Sequence, residues 1–576
     1  LLAVSLVLAT PQIAAASEWF VEAHYPDAAT LARVAPEFQH LIIDAGKHTL
    51  RVDTDDEGIR LMQQAGMDVR IDMTATATMR AFYEPADSVS TIPGFACYRT
   101  VEETYTSIDD IVEVHPDLAS AENIGPTWER TRSAANGYPM RALRVTNLRT
   151  IDKDPERPRM VMFGSIHARE YTPAELLTRM AEWLVTGYGT DAQATWLVDH
   201  VDFRFILQAN PDGRKKAEAG VLWRKNTNTV DAACSGTVTS SRQPGVDLNR
   251  NFPFHWGVTN GQGSSTIKCE QTYRGPSAGS EPETRNLVAY VAGTPDENGI
   301  YTGGALPNLR PNNDINVAAP DDYPGVFFDI HSYSQLVVWP WGDTRNASLN
   351  ATALQTFGRR LAWFNGYIPA QSSDPNYLYT TDGTTDDTFY GVLGAPSYTI
   401  ELGTSFFESC TNFANSTLPK NLDALKYAAR TAKAPYRLPA GPDAHALALS
   451  AQEVEVGTSV QISAVIDDSR YSAVNGIQTS HPIIAASAYI DSLPWEPGAI
   501  AIPLAATDGT FDSTTENVSG TIATVDLAPG RHLIYVQGTN NLGADGTPGA
   551  PDAIFLDIIP VNTDRIFTDG FDVEVP

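Results

Sequence analysis

The stretch GSIHAREYTPAE, residues 164–175, crowds a histidine, an arginine and two glutamates into a dozen positions. His167 and Glu170 are spaced so that both side chains can reach one point, as metal ligands must, although an H-x-x-E pair alone is a weak signal. Further along, the apolar run GVFFDI leads into His331, and PSYTI leads into Glu401. Two histidines and one glutamate form the donor set of an open catalytic zinc site, which keeps a coordination position for water. His167, Glu170 and His331 supply that set, and Glu401 is left over as a candidate base. Taken singly, each residue reads as a hydrogen-bonded polar group at a strand end. Agreement among three strand ends argues for a shared site, because open α/β sheets bind ligands at the carboxyl edge.

The elements that must position these groups follow from hydrophobic periodicity. RMVMFGSI, residues 159–166, has the length and apolarity of a buried strand, and TPAELLTRMAEWL carries apolar residues at helical spacing up to Gly187. His167 to Glu170 then occupy the turn between them. Thr172 is expected as the helix N-cap, with Pro173 at the first helical position and Glu175 completing a capping box, which assigns Glu175 to structure.

From Cys97 to about Pro439 such strands alternate with helical periods, the pattern of an α/β domain with a mixed, largely parallel sheet flanked by helices. Ahead of it, residues 19–73 read strand, helix, strand, strand, helix, strand, the split βαβ order of a ferredoxin-like α+β domain. EPADSVSTIPG is an aperiodic linker between the two. Beyond YRLPAGPDAHALAL, short alternating runs such as VQISAVI and RHLIYVQGT point to an all-β sandwich of immunoglobulin-like type. The opening LLAVSLVLATPQIAAASE has the apolar core and small-residue end of a secretory signal peptide and is too short to span a bilayer. The expected division is a signal segment at 1–16, a ferredoxin-like segment with linker at 17–94, a catalytic domain at 95–438, a β-sandwich at 439–562 and an acidic tail at 563–576.

Lys and Arg total 40 against 69 Asp and Glu, a formal charge of −29, which argues against nucleic acid as a partner, since that requires basic clusters. The same charge favours the approach of cationic substrates, although a solvated surface accounts for most of it. Four cysteines without a C-x-x-C pair fit an oxidising compartment. The expectation is a secreted protein without a membrane span, extracellular or periplasmic, with a monomer as the working oligomeric state. Cys234 and Cys269 flank the DLNRN segment and are expected to staple it, leaving Cys97 to join Cys410 near the ends of the catalytic domain.

Between about Tyr98 and Tyr436 the separated motifs together resemble the zinc metallocarboxypeptidases of the carboxypeptidase A, B and T type. The resemblance implies one Zn2+ held by His167, Glu170 and His331, with Glu401 of YTIELG as general base and Arg224 of LWRKN polarising the scissile carbonyl. GVDLNRNF implies Asn249 and Arg250 as the clamp for a free C-terminal carboxylate, and Asp247 as the hydrogen-bond partner of His167. Tyr333 falls in the substrate cleft, and Tyr379, in the expected mobile loop LYTTDGTTDDTFY, closes over the bound chain end. The separation 401 − 379 = 22 suits that register.

In the same register Asp386 falls at the floor of the pocket for the terminal side chain, which implies a preference for Arg or Lys. Asp387 next to it better fits a backbone-bonding role. The resemblance also implies that the ferredoxin-like segment is an inhibitory propeptide. Two stretches, NTVDAACSGTVTSSRQPG and DENGIYTGGALPNLRPNNDINVAAPDD, read as insertions.

Three functions stay open on this reading. The leading one is a secreted zinc-dependent exopeptidase acting on peptide and protein C-termini. A second keeps the zinc site but acts on peptidoglycan peptides; the Asn249 and Arg250 clamp, suited to an ordinary α-carboxylate, counts against it. A third, of another class, is a catalytically silent binding or adhesion protein, for which a ligand or base should be missing; none is.

Overall fold

The structure is a computed structural model describing residues 18–38, 41–81, 92–236, 238–310 and 314–561. The expected signal segment, most of the linker and the acidic tail lie outside the described residues. No helix among the described residues is long and apolar enough to cross a membrane.

Strands β1 (Glu18–His24), β2 (Ile42–Asp44), β3 (Thr49–Asp55) and β4 (Asp68–Ile71) form an antiparallel sheet in the order β2-β3-β1-β4. Helices Ala28–Val34 and Asp56–Gln64 follow β1 and β3, and each starts on an aspartate that accepts backbone N–H groups of its first turn: Asp27 from Thr30, Asp55 from Glu57 and Gly58. Val21, Leu31, Leu50, Val52 and Met62 close a small core between sheet and helices. A further helix, Met73–Ala81, extends beyond the expected six elements.

The central domain is built on β5 (Ala119–Pro126), β6 (Pro139–Val145), β7 (Arg159–Gly164) and β8 (Asp202–Ile206), then, past a short ribbon of β9 (Gly293–Pro295) and β10 (Tyr301–Gly303), on β11 (Gly325–Ser332), β12 (Leu336–Trp339), β13 (Ile368–Gln371) and β14 (Ser397–Leu402). The order is β13-β12-β14-β11-β7-β8-β6-β5. Pairing is parallel from β14 through β11 and β7 to β8 and between β12 and β13, and antiparallel elsewhere, so the sheet is mixed. Every residue of β11 and β14 is buried, which means that both faces of the sheet centre are covered. The register sets Ile330 beside Gly164 and His331 beside Glu401, bringing three strand ends to one place.

Helix Thr172–Gly187 has the expected length but not the expected start. Its N-cap is Tyr171, already in helical backbone, and no side chain caps it. The turn before it is tight, with the Glu170 N–H bonded to the His167 carbonyl, so the chain enters the helix without the extended residue a side-chain cap needs. Glu175 is drawn instead to Arg99 at 3.2 Å and Arg179 at 2.8 Å.

The C-terminal strands alternate as read: along Val460–Asp467, Val460, Ile462, Ala464 and Ile466 are buried and face Ile534, Val536, Leu556 and Ile558 across one core. The hydrogen bonding is continuous, because Ile502–Ala506 pairs with Ile483–Ile490 through its first half and with Thr515–Ile522 through its second. A strand that changes partner midway makes such a corner between two sheets. This module is fastened to the central domain by buried arginines. Arg360 donates to the carbonyls of Pro439 (3.1 Å) and Gly441 (2.6 Å) and to Asp468 (3.0 Å). Arg359 donates to the carbonyls of Ser472, Val474 and Gly476 at 2.8 to 3.0 Å. Arg430 donates to those of Pro551 and Ala444, each at 2.7 Å.

Candidate metal centre and substrate cleft

At the carboxyl edge of β7 and β11, His167, Glu170 and His331 are almost wholly buried, with ligand atoms that all lie within 4.8 Å of one another. His167 Nδ1 is 2.8 Å from Glu170 Oε1, and His331 Nδ1 is 3.1 Å from both His167 Nδ1 and Glu170 Oε2. Two imidazole nitrogens turned toward each other beside a carboxylate form a donor set that a small divalent cation satisfies, and zinc takes this combination of nitrogen and oxygen ligands. The residues therefore fit the metal.

The outer nitrogens are also occupied. His167 Nε2 lies 3.1 Å from Asp247 Oδ1, as expected, and His331 Nε2 lies 3.0 Å from Asp329 Oδ2. Asp329 was not among the expected site residues. Its only signal is position: two residues before His331 on the same strand, it shares that residue's face. Asp247 also accepts from Arg224, whose Nε and Nη2 donate to Oδ2 at 3.1 and 2.8 Å, so one carboxylate orients both the histidine and the arginine. Burial opposes ionisation of Asp247, but Arg224 and His167 hold its carboxyl well below the ordinary range. Burial likewise disfavours charge on His331, yet Asp329 and Glu170 outweigh it and raise its pKa; burial and the charge of Arg224 lower that of His167.

His167, Arg224, Asn249, Arg250, His331, Asp386 and Glu401 line one cavity. Arg250 is held by the carbonyls of Gly263 (2.9 Å) and Asn249 (2.7 Å) and donates through Nη2 to Tyr379 Oη at 3.0 Å. Asn249 Oδ1 accepts from the Thr385 N–H at 2.9 Å. The second half of the expected mobile loop is in fact the helix Thr385–Leu393, with Asp386 and Asp387 in its first turn. Asp387 takes the backbone N–H groups of Gly342 and Asp343, while Asp386 accepts from Ser372 Oγ at 2.9 Å and borders the cavity. Burial raises the Asp386 pKa.

The N-terminal domain lies against this cleft. The Asp53 N–H donates to Tyr333 Oη at 3.3 Å, Ser241 Oγ donates to Asp55 at 2.7 Å, and Tyr379 packs into the core of the N-terminal domain. Both expected disulfides are formed, Cys97 to Cys410 and Cys234 to Cys269, with Cα atoms 5.5 and 5.1 Å apart.

A mixed α/β sheet with a buried two-histidine, one-glutamate donor set at its carboxyl edge defines a metal-centred α/β protein. A family profile described as zinc carboxypeptidase matches residues 104–414, more than half of the chain. The chain belongs to the zinc carboxypeptidase family, whose metal is zinc, and His167, Glu170 and His331 are the group that can hold it here.

Among curated relatives, a zinc carboxypeptidase of Saccharothrix mutabilis subsp. capreolus is 28% identical over 331 residues, covering 56% of this chain and 65% of the relative. Carboxypeptidase A1 of Rattus norvegicus is 28% identical over 330 residues, covering 56% and 66%. The chain thus spans just under two thirds of the length of these relatives. Of solved structures, carboxypeptidase A from Helicoverpa armigera superposes with a TM-score of 0.54 at 19% identity, over 73% of this chain and 99% of that one, a likeness of fold. Thrombin activatable fibrinolysis inhibitor gives 0.51 at 21% identity, over 72% and 99%.

Proposed function

We propose that the protein is an exported, zinc-dependent exopeptidase that removes single residues from the C-termini of peptides and prefers Arg and Lys there. The observation that carries this reading is the cavity shared by the two histidines of the donor set, Glu401, two arginines and the buried carboxylate of Asp386. His167, Glu170 and His331 would hold zinc, which when bound would supply Lewis acidity and lower the pKa of its water to about 7. Glu401 takes the proton of the attacking water and returns it to the leaving amine. Arg224, aimed by Asp247, donates to the oxygen that becomes negative in the transition state. Arg250 and Asn249 receive the free α-carboxylate, which selects chain ends over internal bonds. In this role Arg250 exchanges its bond to Tyr379 for the substrate, and Tyr379 closes over it. Asp386 receives the cationic side chain.

The N-terminal segment, 17–94 with its linker, acts in this reading as a ferredoxin-like propeptide. The contacts of β3 and its neighbours with Tyr333, Ser241 and Tyr379 support inhibition until the linker is cut. The 95–438 segment is the catalytic domain and 439–562 a β-sandwich module. Export is supported by the two disulfides. The reading is tested with linker-cleaved protein and blocked dipeptides ending in Arg, Lys, Phe or Leu. Release of the terminal residue, fastest for Arg and Lys and abolished by a chelator, is expected. Chelator-insensitive release, or none, rejects the zinc exopeptidase; faster release of Phe or Leu rejects only the basic preference.

A further inference from the structure

Both histidines of the metal centre turn their outer nitrogen to an aspartate, and the two aspartates are held differently. Asp247 is shared between His167 and Arg224. Asp329 is wholly buried on β11, and among the described residues no arginine pairs with it. Its Oδ2 lies 3.0 Å from His331 Nε2 and accepts from Thr385 Oγ1 at 2.7 Å, while its Oδ1 has no hydrogen-bond partner among the described residues. A carboxylate kept in such a place is costly unless its hydrogen bonds offset the lost water. The hydroxyl of Thr385 offsets part of that cost, and the ring nitrogen of His331 stands 3.0 Å away, with Asn249 Nδ2 at 3.4 Å from the same nitrogen. Thr385 also donates its N–H to Asn249 and directly precedes Asp386, so it joins the metal side of the cavity to the helix that carries the pocket carboxylate.

We propose that Asp329 is a positioning residue of the metal centre: by accepting the Nε2–H of His331 it fixes the ring with Nδ1 turned toward His167 and Glu170, and through Thr385 it anchors that ring to the helix Thr385–Leu393. A hydrogen bond to the outer nitrogen selects the tautomer whose inner nitrogen is free to bind metal. The proposal rests on the reading of His167, Glu170 and His331 as the zinc ligands.

The test uses the full chain with Asp329→Ala, Asp329→Asn and Thr385→Val. Zinc affinity is measured by competition with a chromogenic chelator, the cobalt-substituted protein is examined by its visible absorption, and circular dichroism checks folding. Asp329→Ala is expected to weaken zinc binding about 10- to 100-fold and to alter the cobalt spectrum. Asp329→Asn, which can still accept from Nε2–H, should fall between that variant and the parent, and Thr385→Val should shift in the same direction by less. A folded Asp329→Ala protein with parental zinc affinity and cobalt spectrum overturns the proposal. Should that variant not fold, parental affinity in Asp329→Asn overturns it. A parent that binds no zinc overturns the ligand assignment itself, and the proposal with it.

Discussion

Asp247 shows how few groups decide the chemistry at the scale of single residues: one carboxylate aims both a histidine of the proposed metal site and the arginine proposed to meet the oxyanion. Glu401, next to His331 in the strand register yet outside the ligand group, is the residue whose role separates most cleanly from metal binding. Glu401→Gln should retain zinc by metal analysis while kcat falls by about 10²- to 10⁴-fold, the usual weight of general acid–base catalysis. Near-parental turnover of the zinc-loaded variant would remove Glu401 from the mechanism.

Asp386→Ala leaves a bound guanidinium or ammonium without its partner, a loss of about 3 to 5 kcal/mol. Its kcat/KM should drop steeply for C-terminal Arg and Lys while Phe and Leu ends are spared. Because burial raises the Asp386 pKa, the preference for basic ends should fade on acidification at a pH above that of an ordinary aspartate. A basic-to-apolar kcat/KM ratio that stays constant as pH falls to 4 would contradict this. At this scale His167, His331 and Glu401 stood out because each stands where an apolar run stops, and Glu170 by its spacing from His167; the structure brings the first three to one cavity and Glu170 beside both histidines. Asp329 was not, since a lone aspartate within such a run carries no spacing signal of its own.

Among the elements, the parallel register of β7, β11 and β14 turns three separate sequence motifs into one site. The strands and helices were readable from periodicity, but their ends were less so. The capping box at Thr172 failed because Tyr171 already has helical backbone and Glu175 finds Arg99 and Arg179. The corner at Ile502–Ala506 was invisible because alternation gives a strand's faces and not its partners.

The N-terminal domain offers a test at the same scale. Burial and the charge of Glu270 in the central domain raise the Glu37 pKa from 4.5 to about 7. Between these values the docked, folded state binds a proton at Glu37 that the free chain has lost, so docking is stronger at low pH and weakens as pH rises through that window. After linker cleavage, the N-terminal segment should stay associated on gel filtration at pH 5 and dissociate more readily at pH 8, and Glu37→Gln should reduce the difference. Equal retention at both values in the parent would show that Glu37 does not govern the contact.

Across the whole molecule, the central α/β sheet and the β-rich run after it showed as shifts in periodicity and turn composition, whereas the fastening of the C-terminal strands left no such signal. Arg359, Arg360 and Arg430 look in the sequence like ordinary solvated residues of amphipathic helices, yet their guanidinium groups donate to backbone carbonyls of the residues after 438. Removing those residues takes the carbonyl partners from three arginines and uncovers the apolar surface of the main core, to which Leu493, Tyr535 and Ala550 belong. A chain ending at residue 438 should therefore be insoluble or melt far below the parent, and a truncation with parental Tm would show the module to be a dispensable appendage.

The central claim is that this chain cuts single residues from free peptide ends with zinc bound at His167, Glu170 and His331. Its most direct measurement is a mass-spectrometric time course of linker-cleaved protein with two peptides that end in arginine and differ only in a free or an amidated C-terminus. Loss of one arginine mass from the free peptide alone, stopped by a chelator and restored by zinc, is the predicted result. Equal cleavage of the amidated peptide, internal cuts, or shortening that persists without metal would contradict the account.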